Sequence, residues 1–129
     1  MMDYTHRMEA FVAECGLPPP ETATGAVVID FDGIAVSFLD HLADGTILLH
    51  AEIGEAFGGS GGVVARDMLA ANAALREKPG AILCQDPETK AFAAIRAIPL
   101  PAAEPDALLE AVGDLVKAAA SWRERLGRD

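Results

Sequence analysis

Ala26-Val27-Val28-Ile29-Asp30-Phe31, Asp32-Gly33, Ile34-Ala35-Val36-Ser37-Phe38-Leu39 and, after a second Asp44-Gly45 pair, Thr46-Ile47-Leu48-Leu49-His50-Ala51-Glu52-Ile53 form the stretch that decides the fold. An aspartate–glycine pair between β-branched and aromatic runs is a tight-hairpin signal, because the favoured two-residue turn needs residues that tolerate positive φ. Residues 26–31, 34–39 and 46–53 are therefore expected to pair as an antiparallel meander. Their patterning carries a second message. Val27 and Val28, or Ile47 and Leu48, point to opposite faces, whereas a sheet with one face in water alternates apolar with polar residues.

Upstream of the meander, Tyr4, Met8, Phe11, Val12 and Cys15 fall on one stripe of a helix over about residues 3–15. Gly16 stops it, and Leu17-Pro18-Pro19-Pro20 forbids continuation. Downstream, Gly58-Gly59-Ser60-Gly61-Gly62 interrupts the pattern before Val64, Met68, Ala71 and Leu75 resume helical spacing up to Pro79-Gly80. Residues 81–85 and 91–98 read as two more strands joined by Asp86-Pro87-Glu88-Thr89. Pro105 then suits the first turn of a long helix with Leu108, Val112, Leu115, Val116, Ala119, Trp122 and Leu126 on its buried side. The order α-β-β-β-α-β-β-α predicts one α+β domain over residues 1–129, a twisted antiparallel sheet with helices packed on it.

Composition narrows the function. The 129 residues make a single domain, too short for a barrel of alternating strands and helices or a full dinucleotide-binding sheet. Hydrophobic residues are 51% and mean hydropathy is +0.24, yet charges interrupt every run that might cross a membrane. The surplus apolar surface points to a subunit interface or a groove for an apolar partner. Net charge is −10, and residues 1–60 hold ten acidic residues against Arg7 alone. Such a field repels nucleic acid and anionic lipid and favours basic or neutral polypeptides. Cys15 and Cys84 lack metal-binding spacing, and Met1–Arg7 does not read as a signal peptide, so reduced thiols and a cytoplasmic location are expected.

Two strings suggest catalysis and fail on context. Asp30 and Asp32 look like the acid pair of a Mg²⁺-dependent phosphohydrolase of the haloacid-dehalogenase type, but Ile34 stands where threonine is expected and no crossover helix follows. The Asp-Gly hairpin turn explains both residues. Gly58-Gly59-Ser60-Gly61-Gly62 has the spacing of a nucleophile elbow, yet His6, His41 and His50 all precede it; a flexible connector is expected. No enzyme activity, cofactor or metal is expected.

The chain resembles the class I type III secretion chaperones, the Tir-chaperone-like family. The likeness is densest in Met68-Leu69-Ala70-Ala71-Asn72, in Ala81-Ile82-Leu83-Cys84-Gln85-Asp86-Pro87-Glu88-Thr89, in Ile95-Arg96-Ala97-Ile98-Pro99-Leu100 and in Trp122-Arg123-Glu124-Arg125-Leu126. The Gly-rich 58–62 connector and the alanine-heavy strands depart from it. The resemblance implies a small acidic cytoplasmic homodimer that binds the N-terminal non-globular region of a secreted effector and keeps it export-competent, with the secretion apparatus as a further partner. It also places much of the dimer contact on Met68, Ala71, Asn72 and Leu75. Tyr4, Met8, Val28, Val36, Phe38 and Leu48 are the expected lining of an effector groove, rimmed by Asp40, Glu52 and Glu55. The other readings are a stand-alone binding or regulatory module of the same fold and the phosphohydrolase.

Overall fold

The computed structural model describes residues 3–41, 45–55, 61–73 and 81–126. The meander forms as the turn chemistry dictates. Strands β1 (Ala26–Phe31), β2 (Ile34–His41) and β3 (Thr46–Gly54) pair antiparallel, with Phe31 opposite Ile34 across the first turn. Asp32 and Gly33 both have positive φ, 54° and 87°, which is the twist a two-residue hairpin requires. Strand β5 (Phe92–Pro99) pairs with β3, and β4 (Ile82–Gln85) pairs with β5, giving the sheet order β1-β2-β3-β5-β4. The two edges are therefore β1 and β4.

Helix α1 (Tyr4–Glu14) starts on Asp3, whose carboxylate accepts the His6 N–H. It ends at Gly16 (φ 73°), and the Leu17 N–H reaches back to the Val12 carbonyl at 2.9 Å, turning the chain towards β1. Helix α3 (Pro105–Leu126) lies along β3 and β5 and touches α1. Helix α2 (Gly61–Ala73) packs against β4, with Val64 and Met68 buried. The three helices share one core with one sheet face: Val27, Ile34, Val36, Phe38, Ile47, Leu49, Ile53, Leu83, Phe92 and Ile98 meet Met8, Phe11, Leu108 and Leu115 there. Phe11 and Phe38 stack at a tilt, 5.2 Å between ring centres.

Arginines tie the helices to backbone carbonyls. The buried Arg7 donates to Leu100 and Pro101 carbonyls at 2.9 and 3.1 Å and pairs with Glu104. This joins α1 to the 3-10 turn Leu100–Ala102 that precedes α3. Near the other end of α3, Arg123 donates to the carbonyls of Gly33, Glu52 and Ile53. Arg125 pairs with Asp67 of α2 and lies over the Trp122 ring.

Tyr4 is buried at the root of α1, and its hydroxyl donates to the Phe38 carbonyl at 2.5 Å. Loss of solvent, and then the nearby Asp40 carboxylate, push its pKa up to about 12. A phenol with a raised folded-state pKa favours folding below its ordinary value near 10 and loses that contribution as pH climbs to 12. Chemical denaturation between pH 9 and 12 should therefore show about 2 kcal/mol of stability lost that Tyr4→Phe does not lose over the same range.

Candidate functional site

With the helices on one side, the other face of the sheet has no helix over it among the described residues. One row across it runs Val28, Ser37, His50, Ile95 and Ile82, from edge to edge. A second runs Ala26, Leu39, Leu48 and Ala97. Val28 is 63% exposed and Ile82 49%, while Leu39, Leu48 and Ile95 are half-buried by their neighbours. This is where the second set of strand apolar residues goes.

The sheet treats its two edges differently. At β4, the Asn72 side chain of α2 donates to the Leu83 carbonyl and accepts the Leu83 N–H, both at 2.8 Å. One amide thus does what a neighbouring strand would do, and it blunts that edge. At β1 the alternation of an antiparallel ladder starts from the closing pair Phe31–Ile34, so Val27 and Ile29 bond to β2, while Ala26, Val28 and Asp30 aim their N–H and C=O groups away from the sheet. The Ala26 carbonyl receives the Thr24 hydroxyl at 3.3 Å. No hydrogen bond reaches the backbone of Val28 from outside the sheet among the described residues.

Beside that edge lies a depression of about 550 Å³, lined by Val12 and Leu17, by Pro18, Pro20, Glu21 and Thr24, and by Ala26–Asp30. A smaller one of about 160 Å³ adjoins it across Val12, Leu17 and Pro20 and extends to Glu9 and Ala13 of α1. The Leu17–Pro20 segment builds the wall. The C-cap geometry throws it off α1, and three prolines hold it extended beside β1 without donors of their own. A separate hollow of about 530 Å³ sits at the β4–β5 end, among His50, Glu52, Cys84, Glu88 and Ala93. Burial and the acids Asp86 and Glu14 raise the Cys84 and Cys15 thiols respectively above their ordinary pKa, so neither is an activated nucleophile.

The expected groove residues separate into two groups. Tyr4, Met8, Val36 and Phe38 are core: α1 turns its stripe inward, and Val36 and Phe38 belong to the helix-covered face. They do not line a surface. Val28 and Leu48 do lie on the open face. Asp40, expected on the rim, is half-buried on the same side as Phe38, and its Oδ1 has no hydrogen-bond partner among the described residues. On α2, Met68 is buried against the sheet and Asn72 serves its own β4, so those two face inward; Ala71 is exposed and Leu69, 70% exposed, is the large outward apolar residue. Leu75 lies outside the described residues, as do Gly58, Gly59 and Ser60 of the connector. Asp30 and Asp32 form the turn itself, Asp30 Oδ1 accepting the Gly33 N–H at 2.8 Å. The groove wall at Leu17–Pro20 lies outside the expected lining; its signal in the sequence is the proline run a few residues ahead of the edge strand.

The sequence pattern of the Tir chaperone protein (CesT) family matches residues 6–123. Compared by sequence with curated proteins, the chain matches none. Among solved structures it resembles the HopA1–SchA chaperone–effector complex, with TM-score 0.81 and 19% identity, over 94% of this chain and 93% of that one. It also resembles the ExsC–ExsE complex, with TM-score 0.80 and 18% identity, over 97% of each chain. The Yersinia pestis type III secretion chaperone SycH, solved with a stable fragment of YscM2, gives TM-score 0.75 and 19% identity, over 92% of this chain and 98% of that one.

The Asn72 clamp can be tested directly. Asn72→Ala should leave the Leu83 N–H and C=O without their partners and destabilise the fold by about 1–3 kcal/mol in urea titration. It should also increase self-association, measured by light scattering, because a second free edge is created.

Proposed function

The chain belongs to the Tir chaperone protein (CesT) family, and from that membership we infer that it is a type III secretion chaperone that binds the N-terminal non-globular region of a secreted effector and keeps it export-competent. The observation that carries this reading into mechanism is the unblunted β1 edge. An extended effector segment hydrogen-bonds to Val28 and Asp30 as a sixth strand, and its alternate side chains drop into the depression between Val12, Leu17 and Pro20. Its remaining side chains lie beside Val28, continuous with the apolar open face. Holding the segment as a strand keeps it from collapsing into its own fold. The chaperone acts by binding: Asp30 and Asp32 make the hairpin turn, and Asp30, accepting the Gly33 N–H, belongs to the groove as polar lining.

The working form is a cytoplasmic homodimer. What supports it is the outward side of α2, where Leu69 and Val63 are exposed, close to the half-exposed Ile82 of β4. Among the described residues no helix is long and apolar enough to cross a membrane. The assembled dimer would offer two β1 edges to one effector chain or to two, and release at the secretion apparatus would free them.

Three measurements check this. Copurification from the native cytosol should recover one secreted polypeptide, identifiable by mass spectrometry and bound through its first segment. Val28→Pro removes an outward N–H that edge strands can do without, and should weaken that complex at least about tenfold while the circular dichroism spectrum is kept. Leu69→Glu should shift the wild-type dimer to monomer at micromolar concentration by light scattering, whereas Met68→Glu should unfold the subunit, because a charge there is buried without a partner.

A further inference from the structure

We propose that the segment taken up at the β1 edge carries a lysine or arginine opposite Asp30, with apolar residues alternating on its helix-facing side. This rests on the strand-addition reading above and adds the chemistry of the occupant. The helix-facing side of the slot is Val12, Val27, Leu17 and Pro20, which takes apolar side chains. The other side is set by the three edge residues that aim their backbone outward: Ala26, Val28 and Asp30. A residue placed opposite Asp30 has its β-carbon about 5 Å from that of Asp30 and on the same face.

Asp30 is fixed for this role. Its Oδ1 accepts the Gly33 N–H at 2.8 Å, which orients the carboxylate at the turn, and its other oxygen has no partner among the described residues. Among the described residues, every charge lining the two adjoining depressions is negative: Glu9, Glu21 and Asp30. Arg7, the one basic residue in the first sixty, is buried beneath α1 against Glu104. Arg123 reaches the same turn at the Gly33 carbonyl, but from α3 on the helix-covered side of the sheet, whereas Asp30 projects on the open side. A cationic residue at this position is attracted by Asp30 and by the groove's field together; an acidic one is repelled by both, and salt weakens the discrimination.

The test uses the full chain and three synthetic twelve-residue peptides of alternating valine and threonine, with lysine, glutamine or glutamate replacing one central threonine. Fluorescence anisotropy against wild type should rank lysine above glutamine above glutamate, with about three- to tenfold between lysine and glutamate. Asp30→Asn keeps the Oδ1 acceptor for Gly33 and should erase the ranking, as should 0.5 M NaCl. N-methylation of the lysine peptide along its pairing edge should abolish binding without altering the protein. Equal affinity for all three peptides, with sensitivity to N-methylation, overturns the charge preference and leaves strand addition standing. Binding that survives N-methylation in every peptide, or no binding of any peptide at millimolar concentration, overturns strand addition itself and the preference with it.

Discussion

A sheet leaves two rows of backbone donors and acceptors unpaired, and the way this chain disposes of them organises everything else. One row, at β4, meets the side chain of Asn72, whose amide imitates the missing strand at 2.8 Å in both directions. That single residue fixes α2 against β4 and closes one route of uncontrolled pairing. The other row, at β1, is left with its polar groups aimed at solvent beside a proline-walled depression. An open, largely apolar edge strand is a pairing hazard, and acidic residues beside it, such as Asp30 and Glu21, are one way such an edge is kept from pairing with copies of its own chain.

The one-sided placement of the helices follows from how the chain pins them. Arg7 joins α1 to the entry of α3, and Arg123 joins the far end of α3 to the turn of the first hairpin and the end of β3. These guanidinium groups satisfy carbonyls that strand ends and turns would otherwise leave open. With both ends of α3 tied and α1 tied to it, the helices share one face of the sheet and the other carries none among the described residues. Apolar residues on that face are then covered only by their sheet neighbours, which leaves Val28 and Ile82 exposed.

Family membership and the edge geometry address different questions. Membership says that chains of this pattern are Tir-type chaperones. The open β1 edge supports the proposal that this one holds a polypeptide as an added strand, using main-chain bonds that are indifferent to sequence and side pockets that are not. The combination suits a protein that must grip an unfolded segment firmly enough to prevent collapse, without chemistry and without covering the segment completely.

Much of this was legible in the residues. The Asp32-Gly33 turn, the apolar runs flanking it, the helical stripes and the proline stops were sufficient to order all eight elements, because each depends on contacts within a few residues. The doubled apolar character of the strands also showed that apolar residues occupy both faces of the sheet, and the structure places one set in the core and the other on the open face. What the chain could not reveal alone was which face the helices take. Tyr4, Met8, Val36 and Phe38 are as apolar as Val28 and Leu48, and only the docking of α1 and α3 makes the first four core and the last two surface. Asn72 likewise reads as a polar residue in a helix until β4 is seen beside it. Local patterning determined the elements and the register of the first hairpin; side-chain pairing across 11 to 94 positions of chain, from Asn72 with Leu83 to Arg7 with Pro101, decided which edge is closed and which is open.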